Sequence, residues 1–287
     1  RENFPMNARQ ILGFCGFAAL GYAFCEPFRL RVREWDVSLP DLPASAHGTR
    51  VLQISDIHAG MYLSRVLLRK IVALANAQNA DLVVLTGDMV SRRNAYHPPF
   101  VRPLARPVTD YAQDLARELE ILKPKLGMFA VAGNHDVWES DFGPIAGILA
   151  RAGVQNLNNR AVILSNGLPL LGLDDLRGGF PDLSVLKSVE KTAAQLVLSH
   201  NPRLALALSG RNALVLSGHT HGGQVALPAP FGRTPVDAQS SHFKRGFYRV
   251  GAAQLYVCSG VGSIAIPVRF GVLPELAVFT LRRSGNF

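Results

Sequence analysis

From about residue 49 onward the chain repeats one event: a short apolar run stops abruptly at a polar cluster. Val51-Leu52-Gln53-Ile54 runs into Ser55-Asp56-Ile57-His58, and Asp81-Leu82-Val83-Val84-Leu85 into Thr86-Gly87-Asp88. Met128-Phe129-Ala130-Val131 leads to Gly133-Asn134-His135-Asp136, and Leu196-Val197-Leu198 to Ser199-His200. Ala213-Leu214-Val215-Leu216 leads to Gly218-His219-Thr220-His221-Gly222-Gly223-Gln224. Short apolar runs bounded by turn residues read as strands buried on both faces. Between them the spacing becomes helical. Val66, Leu67, Ile71, Leu74 and Ala75 predict a helix from about Ser64 to Gln78. Leu115, Leu119 and Leu122 predict one from about Thr109 to Leu122, and residues 143–152 a third. Val162-Ile163-Leu164 and Pro169 to Leu173 read as further strands, Leu255 to Cys258 and Leu276 to Leu281 as closing ones. No internal repeat and no second hydrophobic unit is present, so strands alternating with helices predict one α/β domain.

The first 48 residues are organised differently. Ile11 to Cys25 is an uncharged apolar run between Arg9 and Glu26-Pro27. As a helix it spans roughly 22 Å, short of the ~30 Å hydrocarbon core of a bilayer. A short membrane anchor, a signal-peptide apolar region and a helix packed on the domain all fit, and an anchor or signal is the favoured reading. Arg29, Arg31 and Arg33 then stand where lipid headgroups would be. The expected organisation is an apolar anchor or signal with a basic flank at 1–33, a linker or edge strand at 34–48, and the domain at 49–283. The expected location is the bacterial inner membrane, or outside it after export; basic residues on both flanks leave the orientation open. Residues 91–107 are basic, proline-rich and aperiodic, and read as a surface insertion.

Composition narrows the classes only slightly. A hydrophobic share of 48% and a charged share of 18% describe a folded chain. The net charge of +9 suits nucleic acid, an anionic membrane or a phosphorylated substrate alike. No nucleic-acid signature accompanies it. Cys15, Cys25 and Cys258 form no disulfide framework and read as packing residues.

The chemistry lies in the strand ends. In layered α/β folds, sites form beyond the carboxyl ends of strands. Five such ends carry Asp56 and His58, Asp88, Asn134 and His135, His200, and His219 and His221. In an extended segment, residues two apart point the same way, so His219 and His221 can turn to one site. Carboxylate, amide and imidazole together suit Mn, Fe or Zn better than Ca or Mg. The absence of cysteine argues against structural zinc. Two cations need a bridging carboxylate, and Asp88 is placed for it. A lone histidine at a strand end is ordinarily just hydrogen-bonded, and His47, His97 and His242 are read that way.

These five clusters, in this order, resemble the calcineurin-like metallophosphoesterase superfamily over roughly residues 49–282. They most resemble a bacterial branch with an N-terminal anchor or export signal. Gly246-Phe247-Tyr248, Val261-Gly262 and Pro274-Glu275-Leu276 add to that likeness. The resemblance implies two packed mixed β-sheets flanked by helices, an α/β fold with four layers. It implies that Asp56, His58, Asp88 and His221 hold one metal, and Asp88, Asn134, His200 and His219 a second, with Asp88 bridging. His135 matches the family's histidine beside the leaving group. The implied activity is dinuclear-metal hydrolysis of phosphoric esters or pyrophosphates, a metal-activated hydroxide attacking phosphorus in line. Manganese is the favoured metal, and a phosphorylated small molecule or a lipid-linked, membrane-associated phosphate the expected substrate. One alternative is a pyrophosphate hydrolase of UDP-2,3-diacylglucosamine in lipid A synthesis, because the resemblance includes such enzymes. Tyr96, Phe100, Val101 and Leu104 would then line a lid at 92–107, which otherwise is an ordinary variable loop. The other alternative is a metal-binding scaffold without turnover.

One departure stands out. Many relatives read Gly-Asp-x-x-Asp-Arg, the second Asp orienting the catalytic histidine. Here Gly87-Asp88-Met89-Val90-Ser91-Arg92 puts Ser91 at that place. A serine can hydrogen-bond His135 but supports its positive charge less, which favours good leaving groups. Arg92 falls where some relatives carry a phosphate-contacting arginine.

Overall fold

Strands that are apolar on both faces need cover on both, and here two sheets cover one another. In the computed structural model, the described residues are 8–91, 106–138, 142–226 and 242–284, without the side chains of 8–15. The strands are β1 (Arg31–Leu39), β2 (Arg50–Ile54), β3 (Leu82–Thr86), β4 (Met128–Val131), β5 (Val154–Asn156) and β6 (Arg160–Ile163). They continue with β7 (Pro169–Gly172), β8 (Gln195–Leu198), β9 (Ala213–Ser217), β10 (Gly246–Val250), β11 (Ala253–Val257) and β12 (Glu275–Arg283). One six-stranded sheet runs β1-β12-β2-β3-β4-β5 and the other β10-β11-β9-β8-β7-β6. Both are mixed: β2 to β5 are parallel while β12 is antiparallel to β2, and β7, β8, β9 and β11 are parallel while β6 and β10 are antiparallel edges.

The period of two sorts side chains between layers. Along β3, Leu82 and Val84 join the core between the sheets, while Val83 and Leu85 join the layer under the helices. Along β8, Leu196 and Leu198 face the same inner core and Val197 the outer one. Helices α1 (Ala8–Cys25), α2 (Arg65–Asn76), α3 (Val108–Leu119), α4 (Asn134–Trp138) and α5 (Phe142–Arg151) complete the elements. Leu68 and Ile71 of α2, Leu115 and Leu119 of α3, and Ile145 and Leu149 of α5 close the first sheet's outer face. Ser64 caps α2 by accepting from the Leu67 N–H at 3.2 Å. The α/β class is as expected from the pattern, and the two packed mixed sheets flanked by helices are as the resemblance implied.

The N-terminal segment differs from expectation. β1 starts at Arg31 and pairs with β12 along its whole length. Residues 31–33 therefore belong to the sheet, not to a basic flank, and 34–39 form its edge strand. Arg31 and Arg33, expected at lipid headgroups, instead pair with buried Glu275 at 3.1 and 3.2 Å. An edge strand that is half exposed carries charges at alternate positions, which is why it reads as a polar flank. The end of α1 docks on the segment before β12. Ala23 accepts from the Arg269 N–H at 3.0 Å, the Tyr22 ring meets Phe270 edge-on at 5.7 Å, and Glu26 Oε2 accepts from the Gly271 N–H at 2.8 Å. Phe17, Leu20, Phe24 and Phe28 stay exposed, and so does Cys25, which is not the packing residue expected. Among the described residues no helix is long and apolar enough to cross a membrane. β5 and β10, short and with polar positions, carried too little apolar signal to predict. Most of the 92–107 insertion, with Arg92 and His97, lies outside the described residues.

Candidate metal centre

The polar clusters meet where the two sheets present their carboxyl ends. β2, β3 and β4 of one sheet lead to Asp56, His58, Asp88, Asn134 and His135; β8 and β9 of the other lead to His200, His219 and His221. Asp56, His58, Asp88 and His221 each offer a ligand atom within 4.8 Å of the others, and Asp88, His200 and His219 do the same. Asp88 belongs to both groups. All of these side chains are buried, as is Asn134, whose Oδ1 has no hydrogen-bond partner.

The backbone is bent hard to achieve this. Asp56, His58, Asp88, His219 and His221 have φ of 51°, 48°, 51°, 73° and 49°. Each left-handed non-glycine residue costs about 1 kcal/mol or more, so the loops must be held from outside. The Asp56 N–H donates to the Gly87 carbonyl at 3.1 Å and the His58 N–H to that of Asp88 at 2.9 Å. Asp88 Oδ1 accepts from the His135 N–H at 2.9 Å. Gly133 lies so close that a Cβ there would stand 2.2 Å from Asp88 Oδ1.

Electrostatics favours ligand forms. Burial lowers His58 and His219 to about 3 and takes His221 well below its usual value, so these rings are neutral. Burial raises the Asp56 carboxyl to about 6, with His200 opposing and Asp88 adding to the rise. Asp88 lies well below the usual carboxylate range: burial raises it, but His200, His135 and His58 outweigh that. His200 shows the converse, burial lowering it and Asp88 with Asp56 lifting it well above the ordinary value. Without a cation, a proton on His200, 3.2 Å from Asp88 Oδ2, answers the gathered negative charge.

The donors fit divalent cations. Ring nitrogens crowd each other, His58 Nε2 to His221 Nε2 at 3.0 Å and His219 Nδ1 to His200 Nε2 at 3.2 Å. The opposite nitrogens of two rings are engaged elsewhere: His200 Nδ1 meets the Thr86 carbonyl at 2.8 Å and His58 Nδ1 the Ser91 hydroxyl at 2.6 Å. That outer shell sets which nitrogen faces inward. Inward lone pairs, a shared carboxylate and the unpartnered Asn134 oxygen are what a cation pair needs.

His135 stands beside this cluster and in neither ligand group. Its ring meets His58 at 5.0 Å and Trp138 at 5.4 Å, and its buried Nδ1 has no partner. Ser91 was expected to serve His135; it bonds His58 instead. The bridge between Ala59 and Val90 lays the two loops side by side and brings Ser91 to His58. His47 accepts from the Arg283 N–H at 3.1 Å, an ordinary hydrogen bond.

Two residues of the site were not assigned a role from the sequence. Asp136, the last member of Gly133-Asn134-His135-Asp136, accepts from the N–H groups of Met89, Val90 and Gly133. Its position in the motif was a usable signal. Arg269 is fully buried and donates to the carbonyls of Ser259, Gly260, Gly262 and Val272. No local pattern announces it.

The comparison with known proteins agrees with this geometry. The family model of the calcineurin-like phosphoesterases matches residues 49–223. A metallophosphoesterase of Bacillus subtilis is 29% identical, over 92% of this chain and 90% of its own. One of Aquifex aeolicus is 29% identical, over 92% and 97%. A Danio rerio protein described as a transmembrane protein with metallophosphoesterase domain is 30% identical over 87% of this chain, which spans 57% of that protein. With the matched stretch running from the strand before Asp56 to the loop that holds His219 and His221, the chain belongs to the calcineurin-like phosphoesterase family.

Proposed function

We propose that this metal-dependent phosphoesterase holds two divalent cations and hydrolyses phosphoric ester or pyrophosphate bonds of a membrane-associated substrate. The observation that carries this is Asp88, common to both ligand groups. Asp56, His58, Asp88 and His221 would hold one cation, and Asp88, Asn134, His200 and His219 the other. Bound there, divalent cations lower the pKa of water and neutralise phosphoryl charge. The neutral imidazoles accept them without first shedding protons, except His200, whose proton leaves on binding. His135, free of both ligand groups and with its ring against the cluster, gives a proton or hydrogen bond to the departing oxygen. The donor set accepts manganese, iron or zinc, with manganese favoured. Support for a membrane substrate comes from the exposed Phe17, Leu20, Phe24 and Phe28 next to Arg29, and from the description of the Danio rerio relative. A sugar-nucleotide lipid such as UDP-2,3-diacylglucosamine is one such substrate.

The test couples metal analysis to turnover. Wild type, Asp88→Asn and His135→Ala are loaded with manganese, iron or zinc and assayed on p-nitrophenyl esters, pyrophosphate diesters and lipid-linked phosphates. Wild type is expected to bind two ions and turn over, Asp88→Asn to lose metal. His135→Ala should keep metal and lose about 10²–10⁴ in kcat. Metal bound without any turnover identifies a scaffold instead.

A further inference from the structure

One wall of the centre is built from residues that neither ligand group uses. His135 and Trp138 lie three apart on the single turn of α4, which puts them on one face. Their rings meet edge to face, centroids 5.4 Å apart. Trp138 is 48% exposed. The Arg177 guanidinium lies 5.9 Å from the centroid of that ring.

Arg177 is exposed but its backbone is fixed. Asp175 Oδ2 accepts from the Arg177 and Gly178 N–H groups, both at 2.7 Å. Gly178 is pressed against Asn134: a Cβ there would stand 2.9 Å from the Asn134 Cα. The turn that presents Arg177 is therefore built directly on a candidate ligand residue. The charge of Arg177 reaches the centre, where it is one of the influences on His219 after burial, His200 and Asp88. A guanidinium matches a phosphate with two parallel hydrogen bonds and stacks on aromatic faces, which a lone metal site cannot offer.

We propose that Arg177 and Trp138 form a subsite for an anionic group on the leaving side of the scissile phosphate, so that pyrophosphates are preferred to simple esters. The side follows from Trp138 packing on His135, and the proposal rests on the hydrolase reading above. In the reaction, water supplies the oxygen of the new P–O bond. The bridging P–O bond breaks, the protons of the water pass to solvent, and the departing phosphate leaves as an anion facing Arg177. No oxidant or second substrate is needed.

The test uses the manganese-loaded protein with ADP-ribose as a pyrophosphate diester and bis(p-nitrophenyl) phosphate as a simple one. Arg177→Ala should lose at least about tenfold more kcat/KM on ADP-ribose than on the simple diester, chiefly through KM. Arg177→Lys should fall between, because an ammonium lacks the planar fork. Binding gives a second readout. ADP-ribose should change the tryptophan fluorescence of wild type; Trp138→Phe should abolish that change, and Arg177→Ala should move it to about tenfold higher concentration. Equal losses on both substrates, or ADP-ribose affinity unaltered in Arg177→Ala, overturn the subsite. A wild type that cleaves the simple diester but neither cleaves nor binds ADP-ribose overturns it too and leaves the hydrolase reading standing. A metal-loaded wild type that cleaves neither overturns both.

Discussion

Two buried charges of opposite sign hold the loops of the metal centre. Asp136 gathers N–H groups: Met89 at 2.8 Å, Val90 at 3.1 Å and Gly133 at 2.9 Å. Arg269 gathers carbonyls: Ser259 at 2.9 Å, Gly260 at 3.2 Å, Val272 at 3.4 Å, and Gly262. The first ties the loop after β3 to α4. The second folds up the segment whose Val261 and Gly262 N–H groups bond the carbonyls of Ser55 and Asp56. Both answer one need, to keep left-handed ligand residues in place against their strain. They differ in what burial does to them. Asp136 is raised to about 7, first by burial and then by Asp88 nearby. Arg269 is lowered by burial to about 10, with Asp56 and Cys258 opposing, and stays charged. A carboxylate packed among carboxylates can relieve itself by taking a proton; a guanidinium beside them has no such need.

The comparison breaks most visibly with Asp136→Ala, which leaves three buried N–H groups without an acceptor. A loss of roughly 3–5 kcal/mol in unfolding free energy is expected, together with lower metal content, read by urea denaturation and metal analysis. Arg269→Met keeps the length and removes the donors. Carbonyls tolerate this better than amides do, so about 2–3 kcal/mol is expected in the same measurement. If Arg269→Met costs more than Asp136→Ala, the ranking of the two braces is reversed.

Acidity sharpens the contrast. A carboxyl whose folded pKa is raised holds its proton in the native state after the unfolded chain has released it. Asp136 thus gives the metal-free protein a contribution that slopes downward as pH rises from the unfolded value of 3.8 through about 7, with Asp56, at about 6, acting in the same direction and His58 and His219, lowered to about 3, acting in the opposite one up to their unfolded value of 6.5. Asp136→Asn should flatten that slope and Arg269→Met should leave it, because Arg269 titrates only from about 10 upward. Thermal melts across that range, in chelator, read it out. The smallest effect is expected at a lesser brace, the Ser91 hydroxyl on His58 Nδ1. Ser91→Ala should weaken metal binding by about tenfold without changing the fold, measured by competition with a chromophoric chelator. An unchanged affinity would mean that packing alone orients the His58 ring.

The two braces were not equally legible. Asp136 sits in a short motif behind β4, two residues from Asn134, and its neighbourhood is visible along the chain. Arg269 serves residues around 55–56 from more than two hundred positions away, inside a stretch with no periodicity. Ser91 was visible, but its partner was not: position in the chain suggested His135, and the bridge between Ala59 and Val90 delivered His58. β1 shows the same limit. Its alternating charges look like a flank until Arg31 and Arg33 are seen beside Glu275, more than 240 residues on.

What the sequence determined by itself was therefore local: which runs bury both faces, where each ends, and which side chain stands at each end. Those properties depend on periodicity and turn chemistry within a few residues. Tertiary structure alone decided the pairings that the sequence did not suggest, that Ser91 turns to His58 and that a distant arginine closes the Asp56 loop; it also brings together the two groups of candidate ligands that share Asp88, as the resemblance implied. Hydrogen bonds and ion pairs act through space over a few ångströms, and only the packing of one sheet on the other brings those groups within that range.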